Sequence, residues 1–180
     1  MNTLVDLTTL QIRPANTNDA EGIAKVHVLS WQKIYRGFLQ DDYLDNISVQ
    51  ERIELWLSLL EQRTMIYVIE QQKQIIGFVS LCPFRSPKAT PEQGEISALY
   101  LHPLYWRYGL GSKLMHVALK ALEQEGFTEI LLWVLDKNIT AQRFYEAQGF
   151  QSTEILETVA YGEGLTWTDI LYRRIQDNLH

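Results

Sequence analysis

Leu99-Tyr100-Leu101-His102-Pro103-Leu104-Tyr105-Trp106-Arg107-Tyr108-Gly109-Leu110-Gly111-Ser112 is the stretch that decides the fold, because it passes from a strand into a helix across two glycines. Glu95 to Leu101 reads as the strand, ended by His102-Pro103. The helix carries Leu110, Leu114, Val117, Ala118, Ala121 and Leu122 on one face, and Gly126 ends it. The first N–H groups of such a helix have no intrahelical partner and carry partial positive charge, so they suit a phosphate or pyrophosphate. Gly109 and Gly111 take away side chains that would hold a ligand off those donors. Arg107 adds a positive charge and Ser112 a further donor. A tight turn that uses glycine for its own geometry reads the same way, so the pair alone decides nothing. Two nucleotide-binding loops fail on spacing. A dinucleotide fingerprint needs a third Gly or Ala where Leu114 stands, and neither glycine begins a Walker-type Gly-Lys-Ser/Thr loop.

Upstream, Leu10 to Pro14 reads as a short strand. Asn18 with Glu21 predicts a capping box for a helix whose stripe is Ala20, Ile23, Ala24, His27, Trp31, Ile34 and Tyr35. Ser48 with Glu51 repeats the signal ahead of Val49, Ile53, Trp56, Leu57 and Leu60. Met65 to Glu70 and Gln74 to Leu81 read as a hairpin, and Pro83 to Gly94 as a loop. Downstream, Ile130 to Leu135 is a continuous apolar strand of the kind buried on both faces. Asn138 caps a helix through Gln148, Gly149 closes it, and β-rich runs come after it near Phe150 to Val159 and Leu165 to Ile175. The order is strand, two helices, three strands, helix, strand, helix, two strands. It predicts an α/β fold, a mixed sheet with helices on both faces.

Composition narrows the function. The 180 residues are 46% hydrophobic and 21% charged, which suits a single globular domain over 1–180 and speaks against a disordered or fibrous chain. Sixteen basic residues against 22 acidic ones give a net charge of −6, which argues against a nucleic-acid partner. Cys82 is the one cysteine, so an internal disulfide and a cysteine metal cluster are excluded, and a half-buried spectator is expected. No His/Asp/Glu spacing suggests a metal site. No window approaches the roughly 18–20 apolar residues of a membrane span. Met1 to Leu10 lacks the profile of a signal peptide, so a cytoplasmic protein without a membrane partner is expected.

The central stretch resembles the phosphate-loop motif of the GNAT superfamily, the GCN5-related N-acetyltransferases. Leu99-Tyr100-Leu101-His102-Pro103 matches the family's Leu-Tyr-Val-x-Pro strand, and Trp106 to Gly111 its Gln/Arg-x-x-Gly-x-Gly/Ala loop. Trp106 departs from the Gln/Arg position, which leaves open which side chain assists. Asn138-Ile139-Thr140-Ala141-Gln142-Arg143-Phe144-Tyr145-Glu146-Ala147-Gln148-Gly149-Phe150 resembles a second family signature, and the likeness covers roughly Leu10 to Ile175. The resemblance implies one GNAT-like domain with a largely antiparallel central sheet flanked by helices, splayed where acetyl-CoA enters. It implies transfer of acetyl from acetyl-CoA, the cosubstrate, to the primary amine of a small molecule or peptide in a ternary complex, and it leaves room for a homodimer.

The same resemblance implies roles for single residues. The loop residues Trp106, Arg107, Tyr108, Gly109, Leu110, Gly111 and Ser112 would bind the cosubstrate. An N–H near Leu99 or Tyr100 would face the thioester oxygen, and Leu101 would pair with the pantetheine arm as if with an added strand. Tyr145 is the candidate general acid, since a phenol of pKa near ~10 is protonated at neutral pH and can donate to a thiolate. Asn138 either contacts the cosubstrate arm or only caps its helix. Glu95 is the candidate base, directly or through water. Trp31 and Tyr35 would wall the acceptor pocket, where cation–π contact could hold an amine. His27 is expected in the core and His116 in solvent. The competing class is a CoA-binding or regulatory domain without turnover.

Overall fold

Gln72 and Lys73 take φ of 48° and 64°, and this left-handed pair folds β2 (Met65–Gln71) back onto β3 (Gln74–Pro83) as a two-residue hairpin. The computed structural model describes residues 9–160 and 166–176. The leader reading of Met1 to Leu10 falls mostly outside that range, as does Leu165. Backbone contacts divide the chain into two compact units, Met1–Leu81 with Ala98–Ala118, and Cys82–Ser97 with Leu119–His180.

In the first unit β1 (Gln11–Pro14) pairs antiparallel with β2, and α1 (Ala20–Ile34), a short α2 (Asp41–Asp45) and α3 (Val49–Glu61) come after β1 in the chain. The capping box expected at Asn18 and Glu21 is made two residues earlier, by Asn16 and Asp19 around a 3-10 turn. Arg13 explains the shift. Its guanidinium bonds both Asp19 oxygens at 2.8 Å and Glu70 at 2.6 Å, tying the helix entry to the β1–β2 pair. The same contact holds the Asp19 carboxyl below its usual range. Glu21 instead meets Lys25 one turn along an exposed face. Ser48 caps α3 as expected, accepting from the Glu51 N–H at 3.2 Å, a bond typically worth about 1 kcal/mol. The core gathers Ile23, Ala24 and Val26 of α1, Trp56 and Leu60 of α3, and Ile66, Val68 and Phe78 of the hairpin.

In the second unit β4 (Gln93–Leu101) pairs parallel with β5 (Glu129–Leu135) over Gln93–Glu95. β7 (Thr166–Ile175) joins β5 antiparallel, and β6 (Gln151–Ala160) joins β7. Gly94 serves packing: a Cβ there would come within 2.9 Å of Phe127 and 3.0 Å of Leu122. Two further helices are α4 (Leu110–Gln124), which begins in the first unit, and α5 (Ile139–Ala147) in the second. The strands form one mixed sheet in the order β1-β2-β3-β4-β5-β7-β6. The fold is α/β, and its sheet is antiparallel except at β4–β5 among the pairs described.

His27 sits in the core as expected. Its Nδ1 accepts the Trp56 indole N–H at 3.1 Å, so the ring is neutral there, and burial, seconded by the Arg52 charge, lowers its pKa to about 3. The unfolded chain takes up a proton near pH 6.5 that the folded chain refuses. Stability is therefore fully present above about pH 6.5 and is lost as pH falls toward 3, by up to about 1.4 kcal/mol per pH unit. His27→Gln keeps an acceptor but does not titrate, so urea unfolding at several pH values should show a shallower acid slope for it. An identical slope in both proteins would contradict the assignment.

Candidate functional site

The strand-to-helix junction is built from the end of β4 onward. His102 Nδ1 accepts the Leu104 N–H at 3.2 Å and starts the 3-10 turn Pro103–Tyr105. The Trp106 indole N–H then reaches back to the Leu101 carbonyl oxygen at 2.7 Å, and the Ser30 hydroxyl of α1 donates to the same oxygen at 2.8 Å. After Trp106 the backbone turns left-handed twice, at Arg107 (φ 70°) and Gly109 (φ 77°). Glycine takes that conformation without penalty, whereas for Arg107 it costs on the order of 1–2 kcal/mol. Arg107, Tyr108 and Gly109 are exposed, while Leu110 is buried and anchors the helix start.

That junction is open and carries no acidic side chain in the first turn of α4. A Cβ built on Gly109 meets nothing within 4 Å, so open space lies before the backbone there. Arg107 stands just before that turn, and Ser112 lies exposed within it. Leu99, Tyr100 and Leu101 are half-buried on β4.

Beside β4 the first unit holds an aromatic cluster. Tyr100 stacks on His27, ring centroids 5.1 Å apart, and its hydroxyl accepts the Trp31 indole N–H at 2.9 Å. Trp31 meets Tyr35 edge-on at 5.1 Å, and both are buried, each 9% exposed. The Arg52 guanidinium lies over the Trp31 ring at 5.7 Å, the cation–π position expected for an amine. Sequence reasoning missed Arg52 and Ser30. Neither has a motif, and only the packing of α3 and β4 around α1 reveals them.

In the second unit Glu95 is buried, 3% exposed. Arg85 holds it with three donors: its backbone N–H to Oε2 at 3.1 Å, Nε to Oε2 at 3.2 Å, and a terminal nitrogen to Oε1 at 2.6 Å. Burial and the Glu95 charge push the Cys82 thiol up, as fits a spectator cysteine. Asn138 caps α5, its Oδ1 accepting the Ala141 N–H at 3.1 Å. Tyr145 lies on α5, half-buried, with Phe144 and Phe150 edge-on at 5.3 and 6.0 Å. Asp169 also escaped the sequence reading. Burial, then the charges of Glu157 and Asp136, raise its carboxyl to about 6, and the Glu157 contact arises from β6–β7 register, which chain order does not show. Among the described residues no group of three or more His, Cys, Asp or Glu could hold a metal, and no helix is long and apolar enough to cross a membrane.

Known proteins share this fold. The model of the acetyltransferase (GNAT) family matches residues 28–150. An uncharacterized N-acetyltransferase of Bacillus subtilis, YuaI, is 31% identical over 165 residues, covering 88% of this chain and 93% of its own. A spermidine N(1)-acetyltransferase of Thermoplasma acidophilum is 24% identical, covering 79% and 89%. In fold, the chain is similar to the crystal structure of the PaiA N-acetyltransferase of the same organism in complex with coenzyme A. That likeness has a TM-score of 0.75 and 22% identity over 93% of this chain and 99% of the other. The chain thus belongs to the acetyltransferase (GNAT) family and is an N-acetyltransferase.

Proposed function

We propose that the chain is a single catalytic domain that transfers acetyl from acetyl-CoA to the primary amine of a small molecule or peptide, directly and within a ternary complex. The observation that carries the reading is the exposed left-handed turn at Arg107 and Gly109, opening onto the start of α4. Backbone N–H groups of Gly109, Leu110 and Gly111 would hold the pyrophosphate, with Arg107 and Ser112 beside them. Trp106 and Tyr108 flank this cradle. Bound there, acetyl-CoA supplies the acetyl thioester and a thiolate leaving group.

The remaining steps belong to the chain. The His102 N–H bonds the Ile76 carbonyl on β3 at 2.8 Å. Because N–H groups alternate sides along a strand, the Tyr100 N–H points the same way, and Leu99 is left as the donor to the thioester oxygen. Glu95 takes the ammonium proton, directly or through water. A carboxylate accepts about four hydrogen bonds and Arg85 supplies three, which leaves a place on Oε1 for the incoming proton. The amine nitrogen then bonds the acetyl carbon as the carbon–sulfur bond breaks, and Tyr145 gives its phenolic proton to the departing sulfur. Asn138 presets the first turn of α5, which carries Tyr145. Trp31 shapes the acceptor side by holding Tyr100, with Tyr35 packed edge-on against Trp31 and the Trp31 face already covered by Arg52.

Gly111→Glu tests the loop, since its carboxylate would crowd and repel the pyrophosphate. Calorimetric titration should show acetyl-CoA affinity abolished with the fold intact, and wild-type affinity would remove the loop from the reading. Tyr145→Phe tests the acid. Turnover should fall by roughly 10²–10⁴-fold while KM for acetyl-CoA changes little. A variant within about threefold of wild type would remove that role, and a loss of cosubstrate affinity would place Tyr145 in binding instead.

A further inference from the structure

We propose that Ser30 and Trp106 are positioning residues for acetyl-CoA that act through one shared atom, the Leu101 carbonyl oxygen, rather than by touching the cosubstrate. The proposal rests on the acetyl-CoA reading of the loop and deepens it.

A carbonyl oxygen has two lone pairs. On Leu101 both are taken, one by the fully buried Ser30 hydroxyl at 2.8 Å and the other by the Trp106 indole N–H at 2.7 Å. The Leu101 carbonyl is thereby closed to a ligand, so pairing with the pantetheine arm falls to the Leu101 N–H. These two bonds are not part of the β3–β4 ladder. His102 N–H engages Ile76 of β3, and by alternation the polar groups of Leu101 face the other way. They form a separate tether that joins α1, the end of β4 and the phosphate loop at one point.

The tether matters because strained backbone comes directly after it. Arg107, the next residue after Trp106, holds a left-handed conformation that a side chain disfavours, and such strain persists only where the surroundings over-determine it. The Trp106 backbone N–H makes only a 3.3 Å contact with the Pro103 carbonyl, so the shorter indole bond is the firmer hold on this residue. Once the indole lets go, Arg107 can relax to a right-handed conformation, and the N–H groups of Gly109 to Gly111 turn away from the pyrophosphate. Ser30 keeps the anchor oxygen in place from the helix side. The arrangement also accounts for tryptophan at a position where the resemblance led to Gln or Arg. Its ring N–H is used within the protein.

Two donors on one acceptor predict a particular non-additivity. Ser30→Ala or Trp106→Phe leaves the carbonyl with one partner. The double variant leaves it with none. By calorimetry, each single variant should bind acetyl-CoA about threefold more weakly and the double variant more than about thirtyfold, beyond the roughly ninefold product of independent effects. KM for the amine should stay within about twofold of wild type in the single variants, and their Tm should be nearly unchanged. A double variant that equals the product of the singles, or that binds as wild type does, overturns the shared tether. Should the double variant not fold, amide hydrogen exchange on the single variants decides the matter. Faster exchange across 107–111 supports the tether, and unchanged exchange overturns it. A wild-type protein that gives no acetyl-CoA binding would sink the acetyl-CoA reading itself, whereas wild-type binding with unaltered variants sinks the tether alone.

Discussion

The Leu101 carbonyl oxygen receives a hydroxyl from α1 and an indole N–H from the loop, and the geometry of the first unit's site depends on that joint. A strand's last residues ordinarily fray, because the ladder that fixes them is ending. Here the strand end is fixed sideways. The His102 N–H bonds β3 on one side, and Ser30 and Trp106 hold Leu101 on the other. With the strand held there, the chain can enter a strained left-handed turn at Arg107 and still begin α4 with its N–H groups in a set direction.

Behind that joint lies an aromatic cluster whose polar atoms bond one another. Trp31 donates to Tyr100, Trp56 donates to His27, and His27 stacks on Tyr100, so rings from two helices and β4 share one interior. Each of these bonds spares a buried donor the desolvation cost of roughly 1–3 kcal/mol that it would otherwise bear. A neutral His27 is part of the arrangement, since Nδ1 can accept the Trp56 proton only while unprotonated. The rings that the family resemblance offered as acceptor walls therefore have a structural task first.

Much of this was legible in the sequence. The hairpin of two β-rich runs, the Ser48 and Asn138 caps and the apolar stripe of α4 are local signals, and local signals survive folding. The glycine-rich loop and the α5 signature were recognisable because each lies within one short segment. What sequence spacing missed is long-range or competitive. The cap moved from Asn18 to Asn16 because Arg13, reaching across from β1, claimed Asp19. Arg85 engages Glu95 from ten residues away, Ser30 meets Leu101 from 71 away, and the Asp169–Glu157 contact depends on strand register. Composition and periodicity carry no record of such pairings.

Initial-rate kinetics of thiol release, with acetyl-CoA and a panel of primary amines varied together, test the central claim most directly. The account predicts release that depends on amine concentration for at least one member of the panel, with double-reciprocal lines that intersect as direct transfer in a ternary complex requires. Parallel lines would contradict direct transfer. Acetyl-CoA binding with no amine-dependent release across small-molecule and peptide amines would contradict the enzyme reading and leave a domain that only binds CoA.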